Sequence, residues 1–421
     1  MRTLKATRYV LIGAIILMIA ALIAWYVFLR SEQSELAAVD QGRGAGINAP
    51  TFGGGVGSTF ENVAASFGLS GENRDTTGAP PRLLNIARSP VSGVGFATLG
   101  TTTGLLMLER STGNLLTAST EQGTLERRTN TLIQDVFETI VLKSGKVIMR
   151  SVDAEGRIIT TVGEVTATSS ATSALAQTRL PDGIRAIAGS PDGNEIFYII
   201  ESGEGAVGIR ARFDGTNQRE LFSSALAGWR VQWPSDDRIV LVQRASDGVP
   251  GYAFTINDKG AIASLIRNIP GLTLLAHRSE DAFLYGSASG ALALYAKVGE
   301  ASAVLLPVRT VADKCVWAPS SAKATEGAPA SPIASQDKSL VAYCAVPLST
   351  PPPNFLDAWY RGEVHTADSW WRVDVSAATA EQMLPSGSVF DVEDTTIDER
   401  GEYIAFTNAI DKSPWLLRVK E

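Results

Sequence analysis

The chain has 421 residues, of which 45% are hydrophobic and 19% charged, and a formal net charge of −7. Those proportions suit a folded protein with one hydrophobic segment attached. The acidic balance argues against nucleic acid as a partner and against electrostatic docking on anionic lipid.

The chain begins MRTLKATR, with Arg2, Lys5 and Arg8, and then runs 21 residues without a charge from Tyr9 to Leu29. At about 1.5 Å of rise per residue, a helix of that length crosses a bilayer core of roughly 30 Å. Residues 9–29 are therefore expected to form a transmembrane helix behind a short basic tail, residues 1–8. The alternative is a cleaved signal peptide, but such peptides have an apolar core of about 7–15 residues followed by small residues. Here the run ends in WYVFLRSEQSE, with Trp25 and Tyr26 where an interfacial aromatic belt would lie. Basic residues precede the span, and Glu32, Glu35 and Asp40 follow it. The positive-inside rule then puts the N-terminus in the cytoplasm and the rest outside. Beyond residue 30 the chain carries 33 basic and 44 acidic residues, a net of −11.

Residues 30–81 contain GRGAGINAPTFGGGVGSTF and show no sustained periodicity, which reads as a flexible linker. A coil of about fifty residues reaches roughly 40 Å on average. Phe52, Phe60 and Phe67 leave open a short docking segment within it. GGGVGST (53–59) is a poor phosphate loop, since it lacks the lysine.

From residue 82 the chain repeats. Ile184–Ser190 reads as a strand, SPDG as a tight corner, and Glu195–Ser202 as a second strand. Ala206–Phe213 follows as a third, and DGTNQRELF as a turn and a fourth. Gly and Asp at the corners supply the backbone conformations that tight hairpins need. Four strands in about forty residues is the size of one propeller blade. The unit recurs as WRVQWPSDDRIVLVQRA, LTLLAHRSEDAFLYGSA and IDERGEYIAFTN, with weaker copies before them and a stretched copy near 314–386. Seven units result, near 89–128, 135–180, 184–222, 228–268, 272–308, 314–386 and 388–420. The last is one strand short, and RLLNIAR (82–88) resembles a fourth strand. If it completes that blade, the ring closes and no sheet edge is left open. The expected fold is thus an all-β, seven-bladed propeller of four-stranded antiparallel blades over 82–421, in preference to paired β-sandwiches or a β-solenoid.

SPDGNEIFYII and FDGTNQRELF resemble the WD40-like repeat of bacterial TolB-type propellers, and of the propeller domains of prolyl-oligopeptidase-type peptidases. With the anchor, the linker and DAWYRGEVHTADSWWRVDV, the chain is similar to membrane-anchored bacterial propeller proteins. That resemblance implies an architecture and a bacterial envelope address, and no activity.

Cys315 and Cys344 are the only cysteines and fall on neighbouring antiparallel strands of the sixth unit. Pairing Pro319 with Leu340 across the turn also sets Cys315 opposite Cys344, which an oxidising compartment would join. The alternative is two buried thiols. PPPNFLDAWYRGEVHTADSWWRVDV (351–375) concentrates Trp359, Tyr360, Trp370 and Trp371, with Arg361 as a cation. Such rings stack on sugars or fill partner pockets. The duller reading puts Trp370 and Trp371 on a blade strand, where successive residues face opposite sides.

Two histidines, His277 and His365, offer little. Triads are assembled from distant segments, so HTADS (365–369) is not read as one. There is no G-x-S-x-G elbow, and two isolated histidines with one cysteine pair do not make a zinc set. Calcium at an acidic pair such as Asp236-Asp237 or Glu393-Asp394 is a minor alternative. No catalytic residue, metal or cofactor is assigned. The expected function is a non-enzymatic binding or scaffolding module, held at the membrane, for a protein partner or wall component. The runner-up is an envelope hydrolase or lyase acting on glycan.

Overall fold

The computed structural model describes residues 82–121, 123–278, 281–319, 340–384 and 390–419. The transmembrane span at 9–29, the linker and nearly all of the 319–338 insertion lie outside the described residues. Among those described, no helix is long and apolar enough to cross a membrane.

The strands assort into seven four-stranded antiparallel sheets, each a consecutive hairpin series except the last. That seventh blade takes its first three strands, Val392–Ile397, Tyr403–Asn408 and Pro414–Arg418, from the chain's end and its outer strand, Leu83–Asn85, from far upstream. Leu83 pairs with Leu417, Leu84 with Leu416 and Asn85 with Trp415, so the ring closes as the repeat count requires.

Each blade's second strand is a continuous apolar run. Leu105–Leu108, Ile196–Ile199 and Ile239–Val242 are buried throughout, because a strand inside a sheet flanked by blades on both sides has no solvent face. Successive side chains alternate between the two neighbouring interfaces. The result is seven separate apolar clusters, one per blade pair, including the one between blades seven and one. Outer strands such as Leu125–Arg127 and Gln177–Arg179 are exposed.

The SPDG corner shows why its residues are there. Ser190 Oγ donates to Asp192 Oδ1 at 2.6 Å, and Asp192 Oδ1 also accepts the Asn194 amide at 3.0 Å. Gly193 sits at φ +73°, a conformation that costs glycine little. Toward the axis the inner strands crowd: a Cβ on Gly93 would lie 2.0 Å from the Thr139 carbonyl oxygen of blade two.

Candidate functional site

Every inner strand runs from one face of the ring to the other, so the connections fall into two sets. Those between strands two and three, and between consecutive blades, share the face where inner strands begin, called the upper face here. The SPDG-type corners lie on the lower face.

The largest structure on the upper face is the connection 348–367 in blade six, which carries the short helix Phe355–Tyr360. Six residues cannot hold a helix by backbone bonding alone. Phe355 and Leu356 fix it by burial against Ala245, Ala288, Leu292 and Val311, which belong to the connections and strand ends of blades four and five. Asp357 adds polar anchors: its Oδ2 accepts Ser246 Oγ at 3.0 Å, and its amide donates to Asp247 Oδ2 at 2.9 Å. The connection therefore leaves blade six, lies over its neighbours and acts as a cap.

A buried ion cluster pins the other side of the cap. Lys314 is fully buried, and its Nζ donates to Thr366 Oγ1 at 2.7 Å, Asp368 Oδ2 at 2.6 Å and Asp391 Oδ1 at 2.5 Å. The ammonium also lies 4.9 Å from the centre of the Trp359 ring. Trp359 Nε1 donates to Asp391, 3.0 Å from each oxygen, and His365 Nδ1 stands 3.0 Å from Asp391 Oδ2. The two carboxylates differ in environment. Burial raises the Asp391 pKa, but Lys314 and the other donors outweigh it and hold the group below the usual range. Burial dominates at Asp368 and pushes it up; its Oδ1 has no hydrogen-bond partner.

The cap's tip reaches the mouth of the central channel. Arg230, on the inner strand of blade four, donates to Asp313 Oδ2 at 2.5 Å and to the Tyr360 hydroxyl at 3.3 Å. Tyr360 also donates to Asp313. Crowding by protein, and next the Asp313 charge, push the phenol well above its ordinary pKa. Asp313 in turn holds the Arg230 guanidinium firmly protonated.

Also at the channel mouth is Asp394, in a bulge of blade seven's inner strand at φ +51°. Its charge interacts with Glu138 of blade two and Arg230 of blade four, which only the channel brings together. Asp394 is exposed, and the solvent it meets is that of the channel bounded by the inner strands. Desolvation there, then repulsion by Glu393 and Glu138, push its carboxyl up to about 7. Glu138 and Glu393 have partners in Arg150 and Lys412, whereas Asp394 has no ion pair.

The aromatic residues singled out in the sequence divide three ways. Trp370 is fully buried against Phe406 of blade seven, while Trp371 packs on the opposite interface, with blade five. They are blade packing, and the alternation of a strand separates them as expected. Trp359 joins the buried cluster, half-covered. Tyr360, 38% exposed, and Arg361, paired with Glu363 at 2.7 Å, face solvent. His365 does not meet Ser369, whose Oγ donates to the Leu384 carbonyl at 3.3 Å. His277 is buried edge-on to Trp317, ring centres 4.9 Å apart. Cys315 and Cys344 are direct cross-strand partners joined by a disulfide.

Sequence reading missed Lys314, Asp391 and Arg230, and named Asp394 only with Glu393 as an acidic pair that could take calcium. The one local signal was Asp313-Lys314 directly before the apolar strand CVW, a charge pair where burial begins. Among the described residues, no three His, Cys, Asp or Glu side chains are grouped to hold a metal ion. An open polar cleft of about 430 Å³, lined by Glu195, Arg210, Asn217, Arg219, Asp258 and Lys259, lies on the lower side of blades three and four.

No family model and no curated protein matches the sequence. Among solved structures, virginiamycin B lyase from Staphylococcus aureus is similar at 12% identity over 80% of this chain and 98% of its own, with a TM-score of 0.48. The β-propeller domain of the Trilobed protease from Pyrococcus furiosus is similar at 9% identity over 79% and 97%, TM-score 0.47. An acylaminoacyl peptidase is similar at 11% identity over 75% of this chain and 49% of its own, TM-score 0.43.

Proposed function

We propose that this chain is a membrane-anchored, non-enzymatic propeller that holds a protein partner on its upper face. The anchor is the uncharged stretch 9–29, with the propeller on the extracytoplasmic side of a bacterial cell membrane. One observation carries the binding role. Among the described residues, thirteen large apolar side chains are exposed. Eight of these are on the upper face: Leu132, Phe137 and Val152 from blades one and two, Leu226 and Val249 around blade four, and Leu348, Tyr360 and Ile410 from blades six and seven. Only Val298 is on a lower connection, and the other four sit on outer strands. Single exposed apolar residues need no explanation, but their concentration on one face marks an interaction surface.

In-cell crosslinking of the full-length protein, with photoreactive residues on each face in turn, tests this. Adducts with a reproducible protein from upper-face positions are the expected outcome. Adducts from lower-face positions alone would remove the basis for the assignment.

The channel mouth favours a second reading, a glycan-active hydrolase or lyase of the envelope. Asp394 can hold a proton near neutral pH, as a general acid must, and Tyr360 with Arg230 would line its approach. Turnover of envelope glycan that disappears in Asp394→Asn would support it; no turnover by the wild-type chain would set it aside.

A further inference from the structure

Within the upper face, charge is distributed in a way the fold does not require. Arg185, Arg244 and Arg309 are exposed, and among the described residues no side-chain partner engages any of the three guanidinium groups. Many other exposed cations are paired, Arg157 with Asp153, Arg179 with Asp182 and Arg361 with Glu363, while among the described residues Arg110, Arg212, Lys259 and Arg278 have no side-chain partner. Of those four only Arg110, in blade one, is on the upper face, so in an acidic chain the three arginines of blades three to five stand out by their clustering on one sector.

Topology gathers the three. Arg185 is in a bulge of blade three's inner strand, which packs beside the inner strand of blade four. The Arg244 amide donates to the Gly228 carbonyl at 2.6 Å, which joins its connection to the one carrying Leu226. Arg309 precedes Val311, which packs beneath the capping helix that presents Tyr360. The same sector exposes Leu226 by 50%, Val249 by 54% and Tyr360 by 38%. Its carboxylates are largely occupied: Asp313 by Arg230, Asp357 by Ser246, and Glu201 by the Gly228 amide. Glu204, at the tip of a blade-three hairpin, is the exception.

We infer that the partner presents to blades three to five of the upper face an acidic polypeptide segment that also carries apolar side chains. The inference rests on the binding-module reading and adds the chemistry of what is bound. Guanidinium groups without partners gain most from carboxylates, which they can grip with two parallel hydrogen bonds. The interleaved Leu226, Val249 and Tyr360 need apolar surface to cover them, which a polypeptide offers and an anionic glycan does not. Arginine and aromatic side chains at the centre of a patch are also the residues that most often dominate protein interfaces.

The test is photocrosslinking of the full-length anchored protein in cells, with the reactive residue at position 226 or 249 and a lower-face control at 237. The linked peptides are then sequenced by mass spectrometry. Peptides rich in Asp and Glu beside apolar residues are expected from 226 and 249. Their yield should fall about tenfold in the triple variant Arg185→Glu, Arg244→Glu, Arg309→Glu, as loss of three charge contacts implies. Because none of these side chains has a partner, the variant should keep the wild-type melting temperature. A neutral or basic peptide, a glycan adduct, or an undiminished yield in a folded triple variant would overturn the inference and leave the binding face standing. Adducts at 237 only, or at no position, would remove both.

Discussion

Lys314 shows how much one side chain can be asked to hold. Its ammonium is a buried cation between two buried carboxylates, and it ties blade six, blade seven and the cap into one unit. A buried ion pair is often little better than an apolar replacement, but removing one partner leaves an uncompensated charge. Lys314→Met should therefore cost about 3–5 kcal/mol in urea unfolding. Asp391 would keep Trp359 and Thr366 as donors, whereas Asp368 would keep the Val392 amide, with Thr366 shared between the two carboxylates. Adding Asp368→Asn to Lys314→Met should consequently restore part of the loss. If the double variant is no more stable than the single one, the uncompensated charge is not the cause.

Asp394 makes a pH-dependent contribution of the opposite kind. Its folded pKa, about 7, lies above the ordinary 3.8, so between those values the folded state binds more proton than the unfolded state. Stability from this group is present below about pH 4 and is lost as pH rises through 7. Asp394→Asn should raise the melting temperature at pH 8, leave it nearly unchanged at pH 4, and flatten the slope between. A uniform shift at both pH values would mean that the bulge geometry, and not the charge, was altered.

At the scale of elements, blade six is the one most in need of support. Its inner strand, Cys315–Trp317, is only three residues long and is followed by a long insertion. The Cys315–Cys344 bond closes 29 positions around that insertion, which the loop-entropy treatment values at roughly 3 kcal/mol. Intact mass without reductant should show the loss of two hydrogens, and Cys315→Ser with Cys344→Ser should cost about 2–4 kcal/mol in urea. An unchanged denaturation midpoint would assign the hold on this strand to Thr395 Oγ1, which donates to the Cys315 carbonyl at 2.9 Å. The pairing was legible in the sequence because antiparallel register is local arithmetic: one corner fixes every pair along the hairpin. The cap was not. Its anchors, Ala245, Ala288 and Val311, are ordinary apolar residues of other blades, and nothing in DAWYRGEVHT says over which blades it will lie.

At the scale of the whole molecule, the same contrast explains what could be read in advance. Corner turns and apolar runs recur with the repeat, so the seven blades and the closing strand were visible in one dimension. The channel mouth takes Glu138, Arg230, Asp313 and Asp394 from four separate places in the chain, and no spacing rule links residues so assembled. Closure itself is the property that belongs only to the whole ring. Leu83–Asn85 contributes three pairs to blade seven, and its neighbours Leu84 and Ile86 pack into the cluster shared with blade one. The strand therefore covers the free edge of Pro414–Arg418 and joins the first and last strands of the propeller. Ile86 donates its amide to the Pro414 carbonyl at 3.0 Å, and Arg418 donates to the Arg82 carbonyl at 2.8 Å, which puts Leu84 in the bonding phase between them. Leu84→Pro removes that donor and should cost about 3 kcal/mol. It should also expose an unpaired edge to other copies of the chain. The matching substitution Glu126→Pro, in the outer strand of blade one, disturbs a sheet contiguous in sequence, and the ring stays closed. Full-length Leu84→Pro should thus show both a lower melting temperature and concentration-dependent association, and Glu126→Pro only a smaller drop in melting temperature. Equal effects in the two variants would mean that closure adds nothing beyond the local cost of breaking one outer strand.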